Sequence, residues 1–261
     1  MIIVKFGGHA MRDENGSFGA AILRAQRAGE QVVVVHGGGP QIDAALSEQG
    51  IISEWIGGFR VTTAEIFAIV ERVLVEEVGP DVAMRLNQVG VKAQSISART
   101  LPTIIARPRI RLVDGTPVDL GFVGDIESVD TTQILELLDR QIVPVIAPIS
   151  SDVDLLNGLN VNADFAAAAI AGALDASVLV VMTDVTGIYR NWPDASSLIS
   201  SISVDELESI KTIFSEGMAP KVQASLDAIA AGAKAVRIIN GTDPESFANA
   251  LAGHGGTLVS A

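Results

Sequence analysis

Lysine is scarce in this 261-residue chain: Lys5, Lys92, Lys211, Lys221 and Lys234 are the full set. Lys5 and Lys221 sit beside glycine-containing turns, in Lys5-Phe6-Gly7-Gly8 and Gly217-Met218-Ala219-Pro220-Lys221. A further glycine run, His36-Gly37-Gly38-Gly39-Pro40, repeats the device without a cation. Where Cβ atoms are missing, successive backbone N–H groups can converge on an anion, and a helix starting just beyond adds its positive end. A lysine beside such a turn adds a compact positive charge. Together these residue types suit a site for a phosphorylated ligand. Taken singly, each glycine run reads equally well as a tight strand-to-helix turn, and the plain alternative for each lysine is a solvated surface residue.

The glycine runs end β-branched stretches, Ile2-Ile3-Val4 and Val32-Val33-Val34-Val35, which read as buried strands. Periodicity predicts helices over 17–29 and 40–49 around the second strand, 32–36, and a longer helix over 63–78. In that helix Ile66, Phe67, Val70, Val73, Leu74 and Val78 form an apolar stripe at three- and four-residue spacing. Ile69 broadens the stripe enough to leave room for a subunit interface as well as a core face. Residues 91–127, with Pro102, Pro108, Pro117 and the turn Asp114-Gly115, read as short strands and hairpins at the sheet edge. Alternation then resumes, with helix 131–140, strand 143–147, an alanine-rich helix over 164–174 and strand 178–182. Helices over 204–210 and 219–232, strand 235–239, a short helix near 244–252 and strand 257–259 complete the pattern. The expected fold is α/β, a three-layer αβα sandwich with a largely parallel central sheet. Ligands of such sheets bind beyond the carboxyl ends of the strands, where the glycine runs fall.

Composition narrows the partners. The net charge is −13, from 18 Lys+Arg against 31 Asp+Glu, which repels nucleic acid and anionic membrane and leaves any anion site to gather its cations locally. Hydrophobic residues make up 48% of the chain, yet no apolar stretch is long and uncharged enough to span a bilayer, and the first residues carry no signal-peptide pattern. A soluble, cytoplasmic protein with a small-molecule substrate is the expectation. The absence of cysteine excludes disulfides and thiolate metal sites, and three scattered histidines do not favour a zinc site. His36, ending a buried strand, reads as a structural hydrogen-bonder rather than a catalyst. Glu76-Glu77 reads as a solvated helix face, and Trp55 and Trp192 as packing residues.

Three more motifs stand at expected strand ends or helix starts: Gly57-Gly58-Phe59-Arg60-Val61-Thr62, Asn160-Val161-Asn162-Ala163-Asp164 and Thr183-Asp184-Val185-Thr186-Gly187. In this order and spacing, together with the lysine and glycine turns, the chain resembles the amino acid kinase family from about residue 2 to residue 259. Arg60-Val61-Thr62, the run 160–164 and Tyr189-Arg190-Asn191-Trp192-Pro193-Asp194 carry a narrower likeness. It is to actinobacterial members that phosphorylate the side-chain carboxylate of N-acetyl-L-glutamate. Such a carboxylate is ionised at neutral pH, so the chemistry asks for positioning and charge neutralisation rather than a general base. The chain has no Ser/His/Asp or Cys/His arrangement to supply one.

The resemblance implies an N-terminal lobe, 1–156, that binds the acylated amino acid and dimerises, and a C-terminal lobe, 157–261, that binds ATP. By the same resemblance Lys5 and Lys221 contact the transferring phosphoryl group from two sides, and Gly8 and Gly38 donate backbone N–H groups to it. Asp164 would organise both lysines without binding metal; its plain alternative is a helix N-cap. Arg60 would grip a substrate carboxylate and Asn160 the amino-acid portion, with Gly37, Gly38, Gly39 and Asn162 beside them. Thr183, Asp184, Gly187 and Tyr189 would line the adenine and ribose pocket, with Gly217 and Met218 nearby and Lys5, Gly7 and Lys221 at the phosphates. ATP and Mg²⁺ are the implied cofactors, the metal held mainly by phosphates and water.

Two stretches depart from the family. Ser95-Ile96-Ser97-Ala98-Arg99-Thr100 stands where these kinases usually carry a glycine-rich segment with an acidic residue, and Ser151-Asp152-Val153-Asp154 lacks a family glycine. The first departure leaves an aminoadipate-type substrate as a rival, and a non-catalytic sensing paralogue as a reading of another class. Arginine-inhibited members carry an extra N-terminal helix; this chain starts at its first strand, so a homodimer without that feedback is expected.

Overall fold

The structure, a computed structural model, describes residues 1–7, 15–99, 102–214 and 217–261. Alternation within the apolar runs explains how its main sheet is covered on both faces. In β1 (Ile2–Phe6) Ile2, Val4 and Phe6 face one core and Ile3 the other. In β2 (Val32–His36) Val32 and Val34 join the first core, and Val33 and Val35 the second. The first core is closed by α1 (Ser17–Arg27), α2 (Gly39–Glu48), α3 (Ala64–Arg72) and α4 (Gly79–Gln88). The second is closed by α5 (Thr132–Asp139), α6 (Ala163–Ala173), α7 (Val204–Ile210) and α8 (Ala219–Ala230), while α9 (Ser246–Leu251) returns to the first. The result is the expected three-layer sandwich.

After a hairpin of β3 (Trp55–Ile56) and β4 (Phe59–Arg60), the strands are β5 (Ala93–Ser97), β6 (Ile104–Pro108), β7 (Gly124–Val129), β8 (Val143–Ala147), β9 (Ile149–Asp152) and β10 (Gly158–Asn160). They are followed by β11 (Val178–Thr183), β12 (Ser201–Ser203), β13 (Ala235–Asn240) and β14 (Thr257–Ser260). The main sheet has eight strands in the order β12-β14-β13-β11-β1-β2-β8-β5, parallel except between β13 and β14. β1 lies between β2 and β11, so the chain moves off in opposite directions from it. That is the switch point at which open parallel sheets form a ligand crevice.

Three sequence expectations need correction. The helix over 63–78 ends as α3 at Arg72, passes through a π-helical stretch Val73–Val78, and continues as α4. Gly79-Pro80 reads as a stop, but proline in the first turn of a new helix gives up an N–H that had no partner there. Ile69, assigned partly to a subunit interface, is 6% exposed and belongs to the chain's own core. Finally, of the strands in 91–127 only β5 is an edge of the main sheet; β6 and β7 enter a separate four-stranded sheet ordered β10-β9-β6-β7. Among the described residues no helix is long and apolar enough to cross a membrane.

Candidate active site

Lys5 shares the face of β1 that α6 and α8 cover, and it meets the first turns of both helices. Its Nζ lies 3.2 Å from Asp164 Oδ1, and Lys221 Nζ lies 3.0 Å from Asp164 Oδ2. Asp164 is 3% and Lys5 8% exposed, so these charges have left most of their water. Burial pushes the Asp164 carboxyl up, but Lys221 and Lys5 outweigh it and hold the group down at about 2. For Lys5 burial dominates and lowers the value against the pull of Asp164; for Lys221 the attraction of Asp164 dominates and raises it. Asp184 adds a raising influence on both lysines. Two ammonium groups thus share one buried carboxylate at the strand ends. The N-cap alternative for Asp164 is corrected: Asn162 caps α6, its Oδ1 accepting the Asp164 N–H at 2.8 Å.

The glycines make room for this cluster. A Cβ on Gly7 would lie 2.9 Å from Lys5 Nζ, so the lysine can fold over this turn only because the side chain is absent. Gly37 donates its N–H to the Phe6 carbonyl at 2.8 Å, stitching the two glycine turns together. A Cβ on Gly38 would meet Leu74 Cδ2 at 2.5 Å. Gly8 lies outside the described residues. Helix α2 starts at Gly39 with no side-chain cap, and its first turn shares a cavity with those of α6 and α8. The cavity is about 490 Å³ and is lined by Lys5, Gly37, Gly38, Gly39, Arg60, Asn160, Asn162, Asp164, Gly217 and Lys221 among others. Three helix N-termini and two lysines facing one space favour an anionic occupant.

Arg60 lines the same cavity and is 4% exposed. Its Nη1 donates to Asp43 Oδ1 at 2.7 Å and to Ser53 Oγ, while its buried Nη2 has no partner. Half of the guanidinium fork is thus anchored and half is left for a ligand, since a buried unpaired donor is costly. Asn160, ending β10, donates from Nδ2 to Thr62 Oγ1 at 3.2 Å, and Thr62 in turn donates to the Arg60 carbonyl at 2.8 Å. Asn162 lines the cavity too, but its oxygen is committed to the cap.

The residues expected on the nucleotide side form a second group. Thr183 ends β11 opposite Asn240, and Asp184 follows it, exposed. Gly187 is packed on Thr257, where a Cβ would meet Oγ1 at 2.5 Å. Tyr189 lies edge-on to Trp192, ring centroids 5.0 Å apart. These four residues lie at and beyond the end of β11 and do not line the cavity, whereas Gly217 does and Met218 caps α8 just beside it.

Both tryptophans correct the packing expectation: Trp55 is 53% and Trp192 64% exposed. Trp55 lines the cavity with its ring 4.4 Å from the Arg60 guanidinium carbon. The signal for it was present in Gly57-Gly58, a two-residue hairpin turn with φ of 58° and 83°, which sets Trp55 opposite Arg60. In the departing segment, Arg99 pairs with Glu71 at 2.5 Å, and Thr100 lies outside the described residues.

Fold and site together define a three-layer α/β protein whose strand ends present a cation-lined, glycine-walled cleft. The amino acid kinase family model matches residues 1–240. The chain belongs to the amino acid kinase family. It is 46% identical over 250 residues to an acetylglutamate kinase of Clavibacter sepedonicus, covering 95% of this chain and 82% of that one. An acetylglutamate kinase of Salinispora tropica is 43% identical over 242 residues, covering 92% and 82%. Among solved structures, smu.665 of Streptococcus mutans superposes with a TM-score of 0.82 at 28% identity, covering 99% of this chain and 98% of that one.

Proposed function

We propose that this chain transfers the γ-phosphoryl group of ATP to the side-chain carboxylate of N-acetyl-L-glutamate, giving ADP and N-acetyl-L-glutamyl 5-phosphate for arginine biosynthesis. Relatives above 40% identity over more than nine-tenths of the chain carry the name acetylglutamate kinase, which supports this substrate. The observation that carries the reading is the shared cavity, lined both by two ammonium groups held by Asp164 and by an arginine with an unpartnered Nη2.

In the reaction a carboxylate oxygen bonds to the γ-phosphorus as the bond to the β–γ bridging oxygen breaks. The electron pair leaves with ADP, and no proton need move. Lys5 and Lys221 stabilise charge as it migrates from one oxygen to the other, and their fixed positions spare the reorganisation water would need. Asp164 holds the two like charges together and keeps both lysines aimed at one point. The N–H groups of Gly38 and of the α2 start bind the phosphoryl oxygens. Arg60 holds the substrate's other carboxylate through Nη2, with Asn160 on the amino-acid portion and Gly37, Gly39 and Asn162 close by. Thr183, Asp184, Gly187, Tyr189, Gly217 and Met218 bind the adenosine. Both Asp164 oxygens face lysines, so the Mg²⁺ of Mg-ATP would be held mainly by phosphates and water, where it would neutralise phosphate charge.

Residues 1–156 would thus carry the acyl-amino-acid side and the contact of a homodimer, and 157–261 the nucleotide, in a cytoplasmic enzyme. The test is Mg-ATP with N-acetyl-L-glutamate and hydroxylamine, in which acyl phosphate is trapped as hydroxamate. No product from this substrate or from its aminoadipate homologue would end the reading, and faster turnover of the homologue would change the substrate. Sedimentation reads the oligomeric state.

A further inference from the structure

We infer that His36 is a positioning residue for phosphoryl transfer: its imidazole, as the Nδ1–H tautomer, orients the Gly37–Gly38 peptide so that the Gly38 N–H faces the cavity. The inference rests on the reading above, in which that N–H meets the phosphoryl group. His36 ends β2 and is fully buried, with Nδ1 2.8 Å from the Gly37 carbonyl oxygen. A carbonyl only accepts, so Nδ1 must carry the proton. The Gly37 N–H is fixed separately, on the Phe6 carbonyl. Both polar groups of Gly37 are therefore pinned, one to β1 and one to the histidine ring. In a planar trans peptide the Gly38 N–H points opposite to the Gly37 carbonyl. His36 is buried and is not among the residues that line the cavity, whereas Gly37, Gly38 and Gly39 all line it.

The ring has little freedom to turn away. Its Nε2 packs at the end of the π-helical stretch, where a Cβ on Gly79 would lie 3.0 Å from it. The same stretch presents Leu74 to Gly38. Single π-turns of this kind recur at functional sites because they reset the register of one helical face. Nε2 is buried without a partner, as suits a neutral ring whose only proton is on Nδ1. Burial lowers the group to about 4, so the loop carries no added charge near neutrality. Donation to the Gly37 carbonyl also polarises the peptide and strengthens the Gly38 N–H as a donor.

Long-range ¹H–¹⁵N correlation spectra of histidine-labelled wild-type chain read the tautomer directly. We expect the neutral Nδ1–H pattern for His36 at pH 7; an Nε2–H ring or an imidazolium overturns the inference. Kinetically, His36→Asn keeps an amide donor near the Nδ1 position and His36→Leu removes it. We expect the Leu variant to lose about tenfold or more in kcat. Both its KM values should stay within about twofold, and the Asn variant should recover most of the rate. Equal rates in the Asn and Leu variants, or an unchanged Leu variant, overturn it. If the Leu variant does not fold, the Asn variant and the spectrum decide. An inactive wild-type chain would instead end the reading of function, so the two failures are distinguishable.

Discussion

Replacing Asp164 by Asn removes the anion between the two lysines while keeping the size of the side chain. The carboxyl titrates at about 2 in the folded chain against 3.8 for a free aspartate. A tenfold difference in proton affinity is worth about 1.4 kcal/mol, so the ionised group contributes roughly 2–3 kcal/mol to folding. With Asp164 only 3% exposed, solvent screens little of this. The two ammonium groups repel each other in wild type and variant alike, so the expected loss at pH 7 stays at roughly 2–3 kcal/mol. For a chain of this size that is roughly 4–12 °C in Tm. The folded value is the lower one, so the contribution is full above about pH 4 and is lost as pH falls through about 2. Urea unfolding of both proteins at pH 7 and pH 3 measures this, and the difference between them should shrink by about half at the lower pH. In the same variant kcat should fall by about a hundredfold or more. The high-pH limb of activity should move to lower pH, because Lys5 loses the partner that holds its proton against burial. Equal stability at pH 7, or a difference that ignores pH, would refute the reasoning.

Arg60→Lys cannot anchor one nitrogen on Asp43 and Ser53 while presenting another, so KM for the acyl amino acid should rise about tenfold or more with KM for ATP unchanged; initial-rate kinetics decide it. Gly38→Ala puts a Cβ 2.5 Å from Leu74 Cδ2 at a φ of 169° that any residue adopts, so the effect is a clash and not strain. Its kcat should fall about tenfold, and Leu74→Val, which removes the Cδ atoms, should restore part of it. In a Trp192→Phe background the remaining tryptophan fluorescence comes from Trp55 alone, and titration with N-acetyl-L-glutamate should change it saturably; a flat titration would put the substrate elsewhere.

The layers of the fold were legible because β1, β2, β8 and β11 are continuous apolar runs and α6 is alanine-rich, patterns that leave few alternatives. The second sheet was not, since Ile149-Ser150-Ser151-Asp152 and Gly158-Leu159-Asn160 are too short and polar to announce strands. Nor was α4, because Gly79-Pro80 signals an end in any local reading while a π-turn carries the chain across it. Lys5 and Lys221 stood out through scarcity and turn context, but their meeting at Asp164 depends on the crossover that brings α6 and α8 over β1. Between Asn162 and Asp164, both able to cap a helix, only the backbone decides which one does. The unpartnered Nη2 of Arg60 is likewise a property of its neighbours Asp43 and Ser53, which no spacing in the sequence foretells.

The most direct measurement is a crystal structure with ADP, aluminium fluoride and N-acetyl-L-glutamate, which mimics the phosphoryl group midway in transfer. We expect the planar fluoride between the ammonium groups of Lys5 and Lys221, against the glycine wall, with the substrate's second carboxylate on Arg60. A fluoride bound away from those two lysines, or an acyl amino acid that leaves Arg60 untouched, would contradict the mechanism.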